Sequence, residues 1–205
     1  MTKANIAAVW AIAAACILTQ STVVAAAEWS LDPAHSSAGF KVRHMMVSNV
    51  SGQFGGVTGT AEYDGKDIKS LKVNAEIDAT TVNTGDKARD EHLRKADFFD
   101  VEKYPKMSFK STKVVPQGKD KFQLVGDFTL HGVTKPVTLE VEGPSAVITD
   151  KKGGTRTGAS ATATLKRKDF GISYGGVLDN GGAAIGDDVK IELEIEMTKA
   201  KTASK

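Results

Sequence analysis

Cysteine is nearly absent from this sequence. Of 205 residues only Cys16 carries a thiol. It sits in a leader marked for removal, so the mature chain has neither a disulfide nor thiol chemistry to rely on. An excess of charge of one sign is missing as well. The 27 Lys+Arg and 25 Asp+Glu leave a formal net charge of +2, and one positive charge goes with Lys3 in the leader. That balance argues against a dedicated binder of nucleic acid or of anionic membranes. There is no apolar run of membrane-spanning length either. Residues 6–18 are unbroken apolar sequence, but a bilayer needs roughly 20. With Lys3 before this run and Ala25-Ala26-Ala27 after a more polar stretch, residues 1–27 read as a cleaved signal peptide, with Glu28 as the new N-terminus. Length argues against a retained anchor. Ala13-Ala14-Ala15 before Cys16, with no leucine among them, argue against lipid modification.

The usual catalytic and metal-binding signatures are absent. His35, His44, His92 and His131 show no metal-ligand spacing. No Gly-x-Ser-x-Gly elbow occurs, and the adjacency of His35 to Ser36 and Ser37 does not orient a base onto a hydroxyl. The glycines of residues 52–59 follow neither nucleotide-binding spacing, and no helix opens after them. Asp64, Asp67, Asp187 and Asp188 lack a calcium-loop pattern.

What the chain does contain is alternation, the mark of half-buried strands. Trp29-x-Leu31, Ala38-x-Phe40-x-Val42, Ala61-x-Tyr63, Leu71-x-Val73-x-Ala75-x-Ile77 and Met107-x-Phe109 come first. Phe122-x-Leu124-x-Gly126-x-Phe128-x-Leu130, Val137-x-Leu139-x-Val141, Ala159-x-Ala161-x-Ala163-x-Leu165 and Val189-x-Ile191-x-Leu193-x-Ile195-x-Met197 follow. Asp64-Gly65 and His131-Gly132 read as turns. Residues 28–198 form one domain with no linker or long repeat, and residues 199–205 form a polar tail. The expected fold is all-β, about eight antiparallel strands, with a barrel preferred over a sandwich because hairpin-like connections dominate and strand glycines permit curvature.

One stretch departs from this pattern. Residues 84–109 open like a helix, with Asp86 as N-cap. Asp90–Arg94 and Glu91–Lys95 are acid-before-base pairs four apart, and Ala88, His92, Leu93 and Ala96 give a weak apolar face. Phe98, Phe99, Tyr104 and Pro105 stop it. Set on a barrel with interior space, residues 87–96 are a candidate lid. The apolar inward set, with methionine beside aromatics and small residues at Gly126, Ala159, Ala161 and Ala163, suits a pocket wall better than a filled core.

The residues also carry a resemblance. Trp29-x-x-Asp32-x-x-His35-Ser36, Phe40-x-Val42-x-His44, Gly52-x-Phe54 and Arg89-Asp90-x-His92-Leu93 are its first part. Asp97-Phe98-Phe99-Asp100, Tyr104-Pro105-x-Met107-x-Phe109 and the run from Gly126-x-Phe128 to Lys135-Pro136-Val137 continue it. Arg167-x-Asp169-Phe170-Gly171 and Gly186-Asp187-x-Val189 complete it. In order and spacing the chain resembles the YceI-like, polyisoprenoid-binding family of exported bacterial proteins. The resemblance implies a lipocalin-like barrel, open at one end, holding an isoprenoid or other long-chain amphiphile. It also implies no metal and no redox cofactor, and a periplasmic location, with secretion as the alternative.

On this reading Phe40, Phe54, Phe98, Phe99, Met107, Phe109 and Phe128 line the ligand, and Arg89, His92 and Arg167 contact its head group. Ion pairs of the arginines with Asp90, Asp97 or Asp169 are the competing structural role. No stable membrane insertion and no enzymatic activity are expected. Two other functions stay open: a lipid-modifying enzyme with His92 as base, and a stress or interaction module with a packed barrel. The sequence does not decide between a monomer and a homodimer.

Overall fold

The computed structural model describes residues 27–64, 67–151 and 153–199. The expected leader lies outside them apart from Ala27, the expected tail lies outside apart from Lys199, and Gly65 of the expected turn also falls outside. Eleven strands appear: β1 Ala27–Leu31, β2 Ser37–His44, β3 Ser48–Phe54, β4 Thr58–Tyr63, β5 Lys72–Asp78 and β6 Lys106–Gly118, then β7 Lys121–Leu130, β8 Val133–Glu142, β9 Ile148–Thr149, β10 Thr155–Lys166 and β11 Ile185–Lys199. Among the described residues there is a single α-helix, α1 Lys87–Leu93, between β5 and β6.

These strands make eight staves. β1 and β2 are two halves of one stave and both pair with β11. β3 and β4 are halves of the next: β3 pairs with β2, and β4 with β1 and β5. From β5 the order runs through β6, β7, β8 and β10, and β10 pairs with β11 along its whole length. That last pairing closes an antiparallel barrel, so no long sheet edge is left between first and last staves.

Alternation now has a direction. On β10, Ala159, Ala161 and Ala163 stand opposite Ile195, Leu193 and Ile191 of β11. Small and large side chains thus sit side by side on the same inner wall, and the alanines of β10 leave space inside. Their neighbours point to water and pair weakly across strands, as Lys41 does with Glu192 (2.7 Å) and Lys166 with Asp188 (3.0 Å). The β7–β8 hairpin turns on His131 and Gly132, both at positive φ (52° and 74°), as a two-residue turn requires.

Where β1 breaks into β2, an ion cluster braces the outer wall. Asp32 accepts from the Ala34 N–H (2.9 Å), contacts His35 Nδ1 (2.9 Å) and receives Arg156 Nη1 (3.2 Å). Arg156 also donates to Glu196 and lies 3.5 Å from Asp150. Asp32, His35 and Glu196 place three potential metal-ligand atoms together, but the Arg156 guanidinium already supplies the positive charge there. The His35 hydrogen bond, with the Ala34 N–H next, holds the Asp32 carboxyl below its ordinary value of 3.8. A folded value below the unfolded one means stability that is complete above that ordinary value and is lost as pH falls through the folded value. Asp32→Asn should therefore be less stable than wild type at neutral pH, and the gap should close on acidification. Chemical denaturation across acidic pH measures it.

Candidate functional site

Inside the barrel lies a cavity of about 200 Å³. That exceeds the ~150 Å³ apolar cavity known to stay dry and take benzene in another protein. Every stave contributes to its wall. Among the lining side chains only Trp29, Tyr63, Ser108 and Thr157 carry a polar atom. Among the described residues no buried side-chain nitrogen or oxygen lacks a partner. The wall can therefore accept hydrocarbon without leaving a polar group unsatisfied, and it offers little to hold a polar head.

One end of this lumen is closed. α1 begins at Asp86, whose carboxylate accepts from the Arg89 N–H (3.0 Å). The helix is short, and its attachments tie it to the wall. Asn83 and Gln53 exchange backbone hydrogen bonds of 2.9 Å, and Arg94 donates to the carbonyls of Thr80 (2.8 Å) and Val82 (2.9 Å). Val82 beneath it is 0% exposed. Buried Asp90 accepts from the N–H and hydroxyl of Thr84 (2.8 and 2.6 Å). The expected Asp90–Arg94 pair is thus replaced by two separate anchors. Beside α1, the turn Arg167–Phe170 and the loop after it complete the plug.

Five of the residues expected to line a ligand face the cavity: Phe40, Phe54, Met107, Phe109 and Phe128. Phe98 and Phe99 do not. Phe99 stands behind Phe54 (ring centroids 5.3 Å apart), and Phe98 packs on His92 and Tyr174 (5.0 and 4.9 Å). They form a second layer because the chain has already left the barrel wall at Asp78 and returns only at Lys106.

The three head-group candidates lie at the closed end, outside the lining. Arg89 donates to the Thr84 hydroxyl (2.7 Å) and carbonyl (3.1 Å). Arg167, 7% exposed, donates to the carbonyls of Gly186 (2.9 Å), Ile172 (2.9 Å), Tyr174 (2.7 Å) and Ile185 (3.2 Å). Burial lowers its pKa from the ordinary arginine value, with Asp187 opposing; the group stays charged. Both arginines bind backbone or hydroxyl oxygens, not the carboxylates of Asp90, Asp97 or Asp169. His92 Nε2 contacts Asp97 (3.0 Å), and its ring is edge-on to Phe98 and Tyr174.

The lumen runs from Phe40, Phe54 and Phe128 below this plug to Tyr63, Leu71, Pro144 and Val147 at the opposite rim, where Val147 is 57% exposed. Two glycines keep its inner part clear. A Cβ on Gly52 would lie 2.4 Å from the Phe40 ring, and one on Gly126 would lie 2.4 Å from the Phe109 ring. Both rings lie flat against the wall, so Gly126 does not itself add open space; it receives Phe109. Ile191, Leu193, Ile195 and Met197, read from the sequence as one face of an alternating strand but not named among the ligand-lining residues, line the cavity from β11. Their alternation with Lys190, Glu192, Glu194 and Glu196 was signal enough to place them.

The YceI-like domain family matches residues 29–197. The chain belongs to the YceI-like family. A UPF0312 protein of Vibrio parahaemolyticus is 43% identical over 149 residues, covering 72% of this chain and 78% of that protein. The YceI protein of Campylobacter jejuni has a structure of TM-score 0.65 at 28% identity, covering 78% of this chain and 90% of that one. A domain from Saccharophagus degradans, described as polyisoprenoid-binding and implicated in plant cell wall breakdown, has TM-score 0.61 at 17% identity. It covers 85% of this chain and 99% of its own, and at that identity the likeness is one of fold. In this YceI-like barrel the residues around α1 and Arg167 build the plug, while the lumen is lined mainly by the alternating strands.

Proposed function

We propose that the protein is an exported, periplasmic carrier that holds an isoprenoid or similar long-chain amphiphile by its apolar part inside the barrel. The observation that carries this reading is a continuous apolar lumen, closed at one end and reaching exposed residues at the other. The polyisoprenoid-binding description of the Saccharophagus degradans domain supports the ligand class, and the apolar leader supports export. Burial drives binding: at ~25 cal/mol per Å², enclosing a few hundred Å² of hydrocarbon contributes several kcal/mol. Phe40, Phe54, Met107, Phe109 and Phe128 contact the inner part of the chain, and the head remains near the rim.

Competition with an environment-sensitive apolar dye tests this. Farnesol or a longer polyprenol should displace the dye from the wild type, whereas a short, water-soluble alcohol should not. A protein that neither takes up the dye nor binds polyprenol in calorimetry would contradict the reading.

A further inference from the structure

The open rim carries a feature that ligand enclosure does not require. After Glu142 the chain leaves the β8–β10 ladder, and it rejoins β10 only where β9 pairs Ile148 with Arg156. Residues 143–147 run along the rim beside β10 instead, with Pro144 and Val147 reaching the lumen. Gly143 approaches the lumen-facing Ala159 so closely that a Cβ on it would lie 2.8 Å from the Ala159 Cβ. Ser145 fixes the excursion, donating its N–H to the Gly158 carbonyl (2.8 Å) and accepting the Thr157 hydroxyl on its own carbonyl (2.8 Å).

Pro144 and Val147 then line the cavity, while Ala146, Val147 and Ile148 are three consecutive exposed apolar residues. Ile148 is 60% exposed. Such a run is costly on a surface facing only water. Here it continues the lumen wall onto the outside of the molecule. A hydrocarbon chain leaving the barrel over this rim meets apolar side chains all the way to the surface.

We propose that residues 143–148 are the portal through which the barrel exchanges its cargo with a lipid bilayer, with Ala146 and Ile148 entering the headgroup boundary. The occupant is a lipid surface, since a chain passing between two apolar phases avoids water only if the phases touch at the mouth. This inference rests on the carrier reading. The apolar tip Met45-Met46-Val47 at the opposite pole is also exposed, but the plug separates it from the lumen, so it serves as the control.

The test uses the full chain, dansyl-labelled farnesol as probe, and vesicles of phosphatidylethanolamine and phosphatidylglycerol. Equilibrium binding of dispersed probe and its rate of transfer from vesicles are measured separately. The wild-type rate should rise with vesicle concentration. Ile148→Asp, at a residue outside the cavity lining, should slow transfer at least about tenfold, the factor that ~1.4 kcal/mol of lost surface contact gives, with its affinity for dispersed probe unchanged. Ile148→Trp should keep the vesicle dependence, and Met46→Asp should transfer as the wild type does. Ile148→Asp transferring at the wild-type rate, or a rate indifferent to vesicle concentration, overturns the portal and leaves the carrier standing. An Ile148→Asp effect on self-association instead of on vesicle dependence overturns it in favour of a second copy as occupant. If dispersed probe does not bind the wild type at all, the carrier reading fails and the portal fails with it.

Discussion

Ala161→Trp should abolish ligand binding while leaving the barrel folded and at least as stable. Ala161 faces the lumen from β10, opposite Leu193 on β11 and Val141 on β8. An indole at that position occupies the space the ligand needs. The expected loss in affinity is at least about 100-fold, because an aromatic side chain takes up on the order of 150–250 Å² of apolar contact, worth roughly 4–6 kcal/mol. Stability moves the other way because filling a void restores contacts that the cavity forgoes. Dye displacement reports the first effect and thermal unfolding the second. A folded Ala161→Trp protein with wild-type affinity would place the ligand outside the lumen.

Arg167→Ala should be among the most destabilising single changes in the chain. The guanidinium holds four carbonyls from two segments, residues 172–174 and 185–186. Truncation leaves these acceptors without their donor at the edge of the core. At about 1–3 kcal/mol for each buried unsatisfied group, and with water reaching some of them, the loss is roughly 3–5 kcal/mol. That is a large share of the ~5–15 kcal/mol typical of a domain. Arg167→Lys should recover less than half of it, because an ammonium cannot span the positions that the planar fork reaches. Urea denaturation of the three proteins measures the order. A ligand-contacting arginine would behave differently: Arg167→Lys would keep full stability and lose affinity.

How far the fold could be read in advance differs from element to element. Alternation in β5, β7, β10 and β11 identified both faces of each stave, since the side-chain period of a strand is fixed. It could not tell that Trp29-x-Leu31 and Ala38-x-Phe40-x-Val42 are halves of one stave; their shared partner β11 is distant in sequence. Asp86 was legible as an N-cap because capping is local. The helix's role was not. A charged segment with a weak apolar face suits a movable lid, and only the hydrogen bonds from Arg94 to Thr80 and Val82, with the Asn83–Gln53 bridge, make it a fixed plug.

The candidate site divides along the same line. Phe40, Met107, Phe109 and Phe128 lie on alternating strands, and the pattern aims them inward; Phe54 closes β3 in a glycine-flanked stretch where no alternation marked its face. Phe98 and Phe99 lie between α1 and β6, where no period applies, and they pack behind the wall. Arg89 and Arg167 looked like anion-binding groups because arginine suits that chemistry. Their partners are carbonyls and a hydroxyl, and those of Arg167 come together only once the plug has folded. Gly52 and Gly126 read as curvature or open space. Their use as seats for the Phe40 and Phe109 rings depends on cross-strand register.

Whether the lumen holds an apolar amphiphile is open to direct measurement. Native mass spectrometry of the protein expressed from the full 205-residue sequence and purified without added lipid tests it most directly when paired with organic extraction. The wild-type barrel should carry one lipid adduct, released by solvent and identified as a prenyl-type chain, and Ala161→Trp should carry none. A wild-type barrel that carries no adduct, and takes up none when offered polyprenyl lipid, would contradict the carrier reading.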